Sequence, residues 1–245
     1  MNLPLIYPDW PIQDKVCAFT TTRIGGCSRA PYDELNLAIH VADDVADVEN
    51  NREILNKHLG FTSSPKWLQQ THSKIVVRSD EIEPDSVEAD ASFTTSKNEI
   101  CAVLTADCLP ILFSDSNGEC VGAVHAGWQG LAKGIIQQTI SAMSEFLKPE
   151  YAWLGPAIGP QALEVGEDVY DAYLQSNIAY KKAFIAKKPG KWNLDIYAAA
   201  KIVLEAADIP YVYGGTYCTY QDQERFFSYR RSEKTGRMAT VIMRK

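Results

Sequence analysis

The chain has 245 residues, 46% hydrophobic and 22% charged, enough to bury a substantial globular core. A formal net charge of -7 argues against nucleic acid or an anionic membrane as the main partner, since both reward a basic face; a small anion met by a local arginine cluster stays open. The opening MNLPLIYPDW lacks a basic region followed by a long apolar run, and no stretch reaches the roughly 20 apolar residues of a membrane span, so the expected compartment is the cytoplasm, with the cysteines reduced.

In chain order, KVCAFTTTR is apolar and β-branched and reads as a strand ending at the turn IGG. DVENNREILNKHLG reads as a helix with Asp47 as N-cap and Gly60 after its last turn. KIVVRSD, ICAVLTA and LPILFSD read as strands, and Asn117-Gly118 in SNGE signals a hairpin into the strand CVGAVHA. A long amphipathic helix is expected over LAKGIIQQTISAMSEFL. YAWLGPAIG is a strand entering a Gly/Pro loop, GEDVYDAYLQ and LDIYAAAKIVLEAAD are helices, and TVIMRK is a closing strand. No repeat, low-complexity tract or linker interrupts residues 1–245, which read as one domain. Hairpins and meanders outnumber β-α-β units, so the expected class is α+β, with mixed or antiparallel sheets sandwiched by helices.

The cysteines are Cys17, Cys27, Cys101, Cys108, Cys120 and Cys218, and none forms a C-x-x-C pair; zinc ribbons, thioredoxin motifs and the zinc-deaminase signature are unsupported. Three residues stand at or just beyond strand ends: His72 in LQQTHSK, Cys108 in TADCLP and His125 in VHAGW. If those ends converge, two imidazoles and a thiolate give three metal ligands, the number that leaves a fourth position for water or substrate. The spacing alone carries no motif. A buried thiol with two hydrogen-bonded histidines, and a Cys–His nucleophile pair, explain the same residues. His58 sits near a helix C-terminus, where a cation suits the dipole. His40 lies in a loop beside two aspartates and borders a site on this reading.

Arginines decide whether phosphate is plausible, because the guanidinium fork matches its oxygens. Arg23 precedes IGG, whose glycines allow close backbone approach, and Arg230, Arg231 and Arg237 flank SEKTG. For any one of them, surface ion pairing is the bland alternative.

TTRIGGCS, LNLAIHVADD, QQTHS, ADCLPILF, VHAGWQGL, LGPAIGP and CTY…FFSYRR…TGRMA follow one another as in the YfiH-like family, also called DUF152 or the laccase-domain (polyphenol oxidase) family. The chain resembles that family over nearly its whole length. The resemblance implies an α+β fold and Zn²⁺, ahead of Cu²⁺, held by His72, Cys108 and His125, which are also the catalytic set. It implies phosphorolysis of adenosine, inosine and methylthioadenosine to base and ribose 1-phosphate, together with adenosine deamination. Substrate or phosphate contacts are then expected from Arg23, His40, Gln70, Asp107, Gln129 and Arg230, and Asp107 or Asp90 are candidates to protonate the leaving base. Partners are purine nucleosides and phosphate, not nucleic acid or membrane.

The chain departs from the pattern at Gln129, where the family reads arginine, and at Ala42, where it often reads glycine. The first departure weakens phosphorolysis unless another arginine, such as Arg23, serves. A copper-dependent polyphenol oxidase is one rival, although a trinuclear copper cluster needs more than 4 histidines. A Cys-type hydrolase and a cell-wall (peptidoglycan) quality-control protein are the others.

Overall fold

The computed structural model describes residues 3–60 and 63–245. In chain order the elements are β1 (Leu5–Ile6), β2 (Val16–Thr21), α1 (Val45–Leu59), β3 (Val76–Arg78), β4 (Ala91–Thr94), β5 (Ile100–Thr105), β6 (Leu109–Ser114) and β7 (Val121–Ala126). They continue with α2 (Trp128–Lys133), α3 (Ile135–Ser144), β8 (Tyr151–Leu154), β9 (Glu164–Gly166), α4 (Glu167–Ser176), β10 (Phe184–Lys188), β11 (Lys191–Leu194), α5 (Ile196–Ala206), β12 (Tyr211–Gly214) and β13 (Met238–Arg244).

The strands form a four-stranded sheet ordered β1-β2-β13-β5, a six-stranded sheet ordered β12-β8-β6-β7-β4-β3 and a small sheet ordered β10-β11-β9. Most pairs are antiparallel; β3–β4 and β8–β12 are parallel. β5 and β6 are buried along their whole length, as their unbroken apolar runs require. Yet they belong to different sheets, and the three residues between them carry the chain from one sheet to the other.

The two large sheets face each other across a core holding Trp10, Cys101, Val103, Leu112, Val121, Ala123 and Trp153. On the outer side of the four-stranded sheet, Leu55 of α1 packs with Phe19, Leu104 and Val241. On the outer side of the six-stranded sheet, Ile136 and Met143 of α3 and Val203 of α5 pack with Ile111, Phe113 and Val124. The arrangement is the expected α+β sandwich of mixed sheets between helices.

Two expected details change. The N-cap of α1 is Asp44, not Asp47: Asp44 has an extended backbone, and its carboxylate accepts the Ala46 N–H at 2.9 Å, while Asp47 lies inside the first turn. The long helix expected from Leu131 starts at Trp128 and breaks at Gly134, whose φ of 90° a glycine adopts without a Cβ penalty.

Candidate active site

One register explains why Cys108 meets His125. In the β6–β7 hairpin Leu109 pairs with Ala126 and Pro110 with His125. Cys108, one residue before Leu109, therefore comes to lie against Gly127. A side chain at Gly127 would put its Cβ 3.0 Å from the Cys108 Sγ and 2.6 Å from His72 Cδ2, so glycine is required for the approach.

Asp90 brings in the third residue. It precedes β4, whose Ala91 pairs with Val124, and the His125 N–H donates to the Asp90 carbonyl at 2.7 Å. The Asp90 carboxylate is buried and accepts five hydrogen bonds. Oδ2 takes Thr71 N–H (3.3 Å), Ser73 N–H (2.6 Å) and the Ser73 hydroxyl (2.7 Å); Oδ1 takes His72 N–H (3.1 Å) and His125 Nδ1 (2.7 Å). Burial pushes this carboxyl up, but the bonds from His125 and Ser73 outweigh it and hold it at about 2. One carboxylate thus fixes both the turn carrying His72 and the orientation of His125.

Two further contacts pin the same turn. The Gln70 side-chain amide pairs with both backbone groups of Leu104, at 2.7 and 2.8 Å, and Lys133 Nζ donates to the His72 carbonyl at 2.9 Å. His72 itself has φ 56°, a left-handed conformation uncommon for a non-glycine residue, held by these bonds.

The Cys108 Sγ and His72 Nε2 are 3.7 Å apart, the two imidazole rings stand edge to face at 4.8 Å, and the ligand atoms of all three residues lie within 4.8 Å of one another. A tetrahedral ion bound to sulfur and nitrogen would separate those atoms by roughly 3.5 Å. With Nδ1 committed to Asp90, His125 has Nε2 left for a metal, the carboxylate–histidine–metal arrangement. The residues therefore fit a metal with an open fourth position. In the metal-free protein, burial pushes the Cys108 thiol up, but the His125 charge and hydrogen bonds from both imidazoles bring it down to about 6. Burial lowers His125, and the Cys108 and Asp90 charges and hydrogen bonds raise it to about 9.

The cluster opens into a cavity of about 560 Å³. Apolar surface comes from Trp128, Ile158, Leu163 and Ile196, and polar groups from His40, Gln70, Asp107, Tyr229, Arg230 and Arg237.

The pattern of sequence and structure is that of a known group. The family model described as multi-copper polyphenol oxidoreductase laccase matches residues 17–245. The chain belongs to this laccase-domain, YfiH-like family. It is 45% identical to a purine nucleoside phosphorylase of Pseudomonas aeruginosa over 96% of each chain. It is 44% identical to the purine nucleoside phosphorylase YfiH of Escherichia coli, covering 97% of this chain and 98% of that one. Among solved structures, a Neisseria meningitidis protein of the DUF152 family superposes with TM-score 0.91 at 43% identity over all of both chains. YlmD of Geobacillus stearothermophilus does so with TM-score 0.87 at 30% identity, over 96% and 94%.

In this YfiH-like chain His40, Gln70, Asp107 and Arg230 line the cavity, whereas Arg23 and Gln129 do not. Arg23 is held elsewhere: Nε donates to the Asp33 carbonyl (2.8 Å) and Nη2 to its carboxylate (2.9 Å). Gln129 lies in the first turn of α2, outside the lining. Both carboxylates offered as proton donors are already occupied by hydrogen-bond donors. Asp90 holds the ligands, and Asp107 accepts the Thr219 hydroxyl (2.6 Å), the Ser228 hydroxyl (3.0 Å) and the Arg230 N–H (2.7 Å). Asp107 thereby ties the C-terminal loop to the β5–β6 crossing and brings Tyr229 and Arg230 to the cavity wall. The His40 pKa is lowered, first by desolvation and then by the Arg237 and Arg52 charges. Sequence reasoning missed Trp128, Ile158 and Tyr229 as lining residues, because apolar and aromatic side chains carry no signal separating a cavity wall from core.

Proposed function

We propose that this chain is a cytoplasmic, zinc-dependent purine nucleoside phosphorylase that cleaves adenosine, inosine and methylthioadenosine to free base and ribose 1-phosphate, and that it also deaminates adenosine. The observation that carries the reading is the convergence of His72, Cys108 and His125 on the floor of a cavity large enough for a nucleoside and a phosphate. The similarity to purine nucleoside phosphorylases supports the phosphorolysis part of this reading.

His72, Cys108 and His125 hold the metal, which when bound supplies Lewis-acid polarisation of an oxygen. Asp90 keeps His125 in one tautomer and keeps the His72 turn rigid, so the ligands are positioned before substrate arrives. Trp128, Ile158, Leu163 and Ile196 offer the apolar surface that a purine ring buries, and Trp128 suits stacking. His40 offers the ribose or the base a hydrogen-bonding imidazole, and Arg230 brings positive charge to the rim. In the reaction a phosphate oxygen bonds to C1′ of the ribose as the C1′–N9 bond breaks. The bonding pair leaves with the purine, which takes up the proton that hydrogen phosphate loses on becoming the ribose monoester. Holding both reactants in one cavity supplies the proximity that this displacement needs.

The test is an assay of zinc-quantified protein with inosine, with and without phosphate, and with adenosine for the deaminase arm. Chromatography should show hypoxanthine and ribose 1-phosphate only with phosphate present and only with Cys108 intact. Full zinc without phosphate-dependent base release, or undiminished release by Cys108→Ala, refutes the reading.

The family description favours one other reading, a copper oxidase. Two imidazoles and a thiolate are a ligand set that copper accepts. Among the described residues, however, no second cluster of histidine, cysteine and carboxylate ligands accompanies this one. An intense copper–thiolate absorption band in the native protein would decide for copper. Activity that survives chelation and dies on thiol alkylation would instead mark Cys108 as a nucleophile.

A further inference from the structure

The cavity holds two guanidinium groups that make no direct ion pair, although the Asp107 carboxylate lines the same cavity. Arg237 and Arg230 both line it, and among the described residues neither is ion-paired with a carboxylate. Arg23, Arg52, Arg78 and Arg225 each have an acidic partner. With 31 acidic residues against 24 basic ones, carboxylates are not scarce in this chain.

Arg237 is half-buried and fixed from behind. Its Nη1 donates to the Thr235 carbonyl (2.8 Å) and the Gly236 carbonyl (3.0 Å), its backbone N–H donates to Asn36 Oδ1 (3.0 Å), and the guanidinium lies 5.9 Å from the Tyr229 ring centre. Those bonds use one corner of the fork. Among the described residues no protein group pairs with Nε or Nη2, the edge whose parallel N–H groups match two oxygens of an oxyanion. Arg23 shows the contrast: the same edge is filled there by the carbonyl and carboxylate of Asp33. Arg230 is exposed and spends Nη1 on the Glu164 carbonyl, at 3.1 Å.

The geometry points to an oxyanion subsite built on the free Nε–Nη2 edge of Arg237, with Arg230 at its rim; resting on the phosphorylase reading above, its ligand is inorganic phosphate. Arg237 supplies this cation from the C-terminal segment just before β13.

The experiment uses metal-loaded full-length protein and the variants Arg237→Gln, Arg237→Lys and Arg230→Gln. Loss of a bidentate charged contact predicts a phosphate KM at least about tenfold higher in Arg237→Gln, with inosine KM within about twofold and metal content unchanged. Arg237→Lys recovers part of the loss, because it keeps the charge without the fork. Arg230→Gln raises the phosphate KM by less and leaves the Thr235–Gly236 anchor untouched, so it keeps the test alive if Arg237→Gln does not fold. Equilibrium binding is read separately, as the thermal shift produced by inorganic phosphate and by adenosine 5′-monophosphate. Phosphate stabilising the wild type but not Arg237→Gln supports the subsite even if no nucleoside is cleaved, which would overturn only the phosphorylase reading. A phosphate KM that is unchanged, or an inosine KM that rises by the same factor, overturns the subsite while leaving phosphorolysis standing. A shift with the nucleotide but none with inorganic phosphate assigns the edge to a phosphate ester and likewise overturns the proposal.

Discussion

Replacing Asp90 with asparagine tests how the ligand set is held. The carboxylate accepts bonds on both oxygens, all from N–H or O–H donors. An asparagine of the same shape offers one accepting oxygen and one NH₂ group, so one side of the cluster becomes donor against donor. Each hydrogen bond to a buried charge is worth about 1.5–3 kcal/mol, and with two such bonds weakened the cost is about 3 kcal/mol. The depressed titration gives a second measure: a carboxyl held at about 2 against the ordinary 3.8 favours the folded, metal-free protein by about 2 kcal/mol. Because the folded group titrates below the unfolded one, that contribution is complete above about pH 4 and disappears as pH falls toward 2. Urea unfolding of stripped protein at pH 7 should show a midpoint lower by about 1 M. The gap between wild type and variant should narrow as the pH is lowered below 4. Chelator competition should show metal affinity down by about 10–100-fold, the usual cost of losing a carboxylate behind a ligating histidine. A stability loss under about 1 kcal/mol together with unchanged metal affinity would refute this account of Asp90.

Gly127→Ala places a methyl group 2.6 Å from His72 Cδ2 on a backbone that alanine tolerates, so metal stoichiometry should fall while the circular dichroism spectrum stays that of the wild type. Full occupancy in that variant would mean His72 is not a ligand. Ala42→Gly relieves a left-handed residue at φ 65°, and after the added chain entropy the net gain is about 0.5–1 kcal/mol, seen as a melting temperature higher by about 1–4 °C; a lower one counts against strain at Ala42. With His125 raised to about 9 in the metal-free protein, metal binding at pH 7.5 should release about one proton and tighten as pH rises toward 9. Calorimetry in buffers of different ionisation enthalpy measures that number, and a value near zero would show that His125 does not deprotonate on binding.

Much of this was legible in the chain. The Asn117-Gly118 hairpin signal and the two apolar runs beside it already contained the meeting of Cys108 and His125. Six-residue strands closed by that turn place Cys108, the residue before one, against Gly127, the residue after the other, two positions beyond His125. Thiol and imidazole are rare and chemically specific side chains, which singles out His72, Cys108 and His125 as candidate ligands while leaving a buried thiol or a Cys–His pair as alternatives. His72 was legible only as a histidine near a strand, since what delivers it is the Asp90 carboxylate, eighteen positions away, and a buried aspartate looks like any other in sequence. The ADC segment read as a break between two strands; that it is a crossing between sheets depends on β13 pairing with β5 from the far end of the chain. The small β9–β10–β11 sheet went unread, because its lysine-rich, exposed β10 lacks the apolar alternation that marks a strand. Arginines were the hardest to sort. Arg23 and Arg237 are alike in sequence, and only the Asp33 carboxylate, present for one and absent for the other, separates a structural guanidinium from one with an open edge.

Charge balance ties the metal cluster to that open edge. Without metal, the buried Asp90 carboxylate and the half-buried Cys108 thiolate are offset by a protonated His125. On the proposed reading, a divalent cation held by these residues would take the place of that proton and, with both imidazoles neutral, would have its two charges matched by the carboxylate and the thiolate. The cluster would then be neutral as a whole, and the guanidinium groups of Arg230 and Arg237 line the cavity without a direct ion pair among the described residues, the Asp107 carboxylate there being taken up by Thr219, Ser228 and the Arg230 N–H. A half-buried guanidinium with an open edge favours an anion, as an apolar wall favours a flat ring. A neutral nucleoside alone fills the wall and leaves the charge uncompensated; an anion alone does the reverse. The pair of a purine nucleoside and an oxyanion satisfies both, and a displacement that joins one to the other is the chemistry such a cavity is shaped to hold.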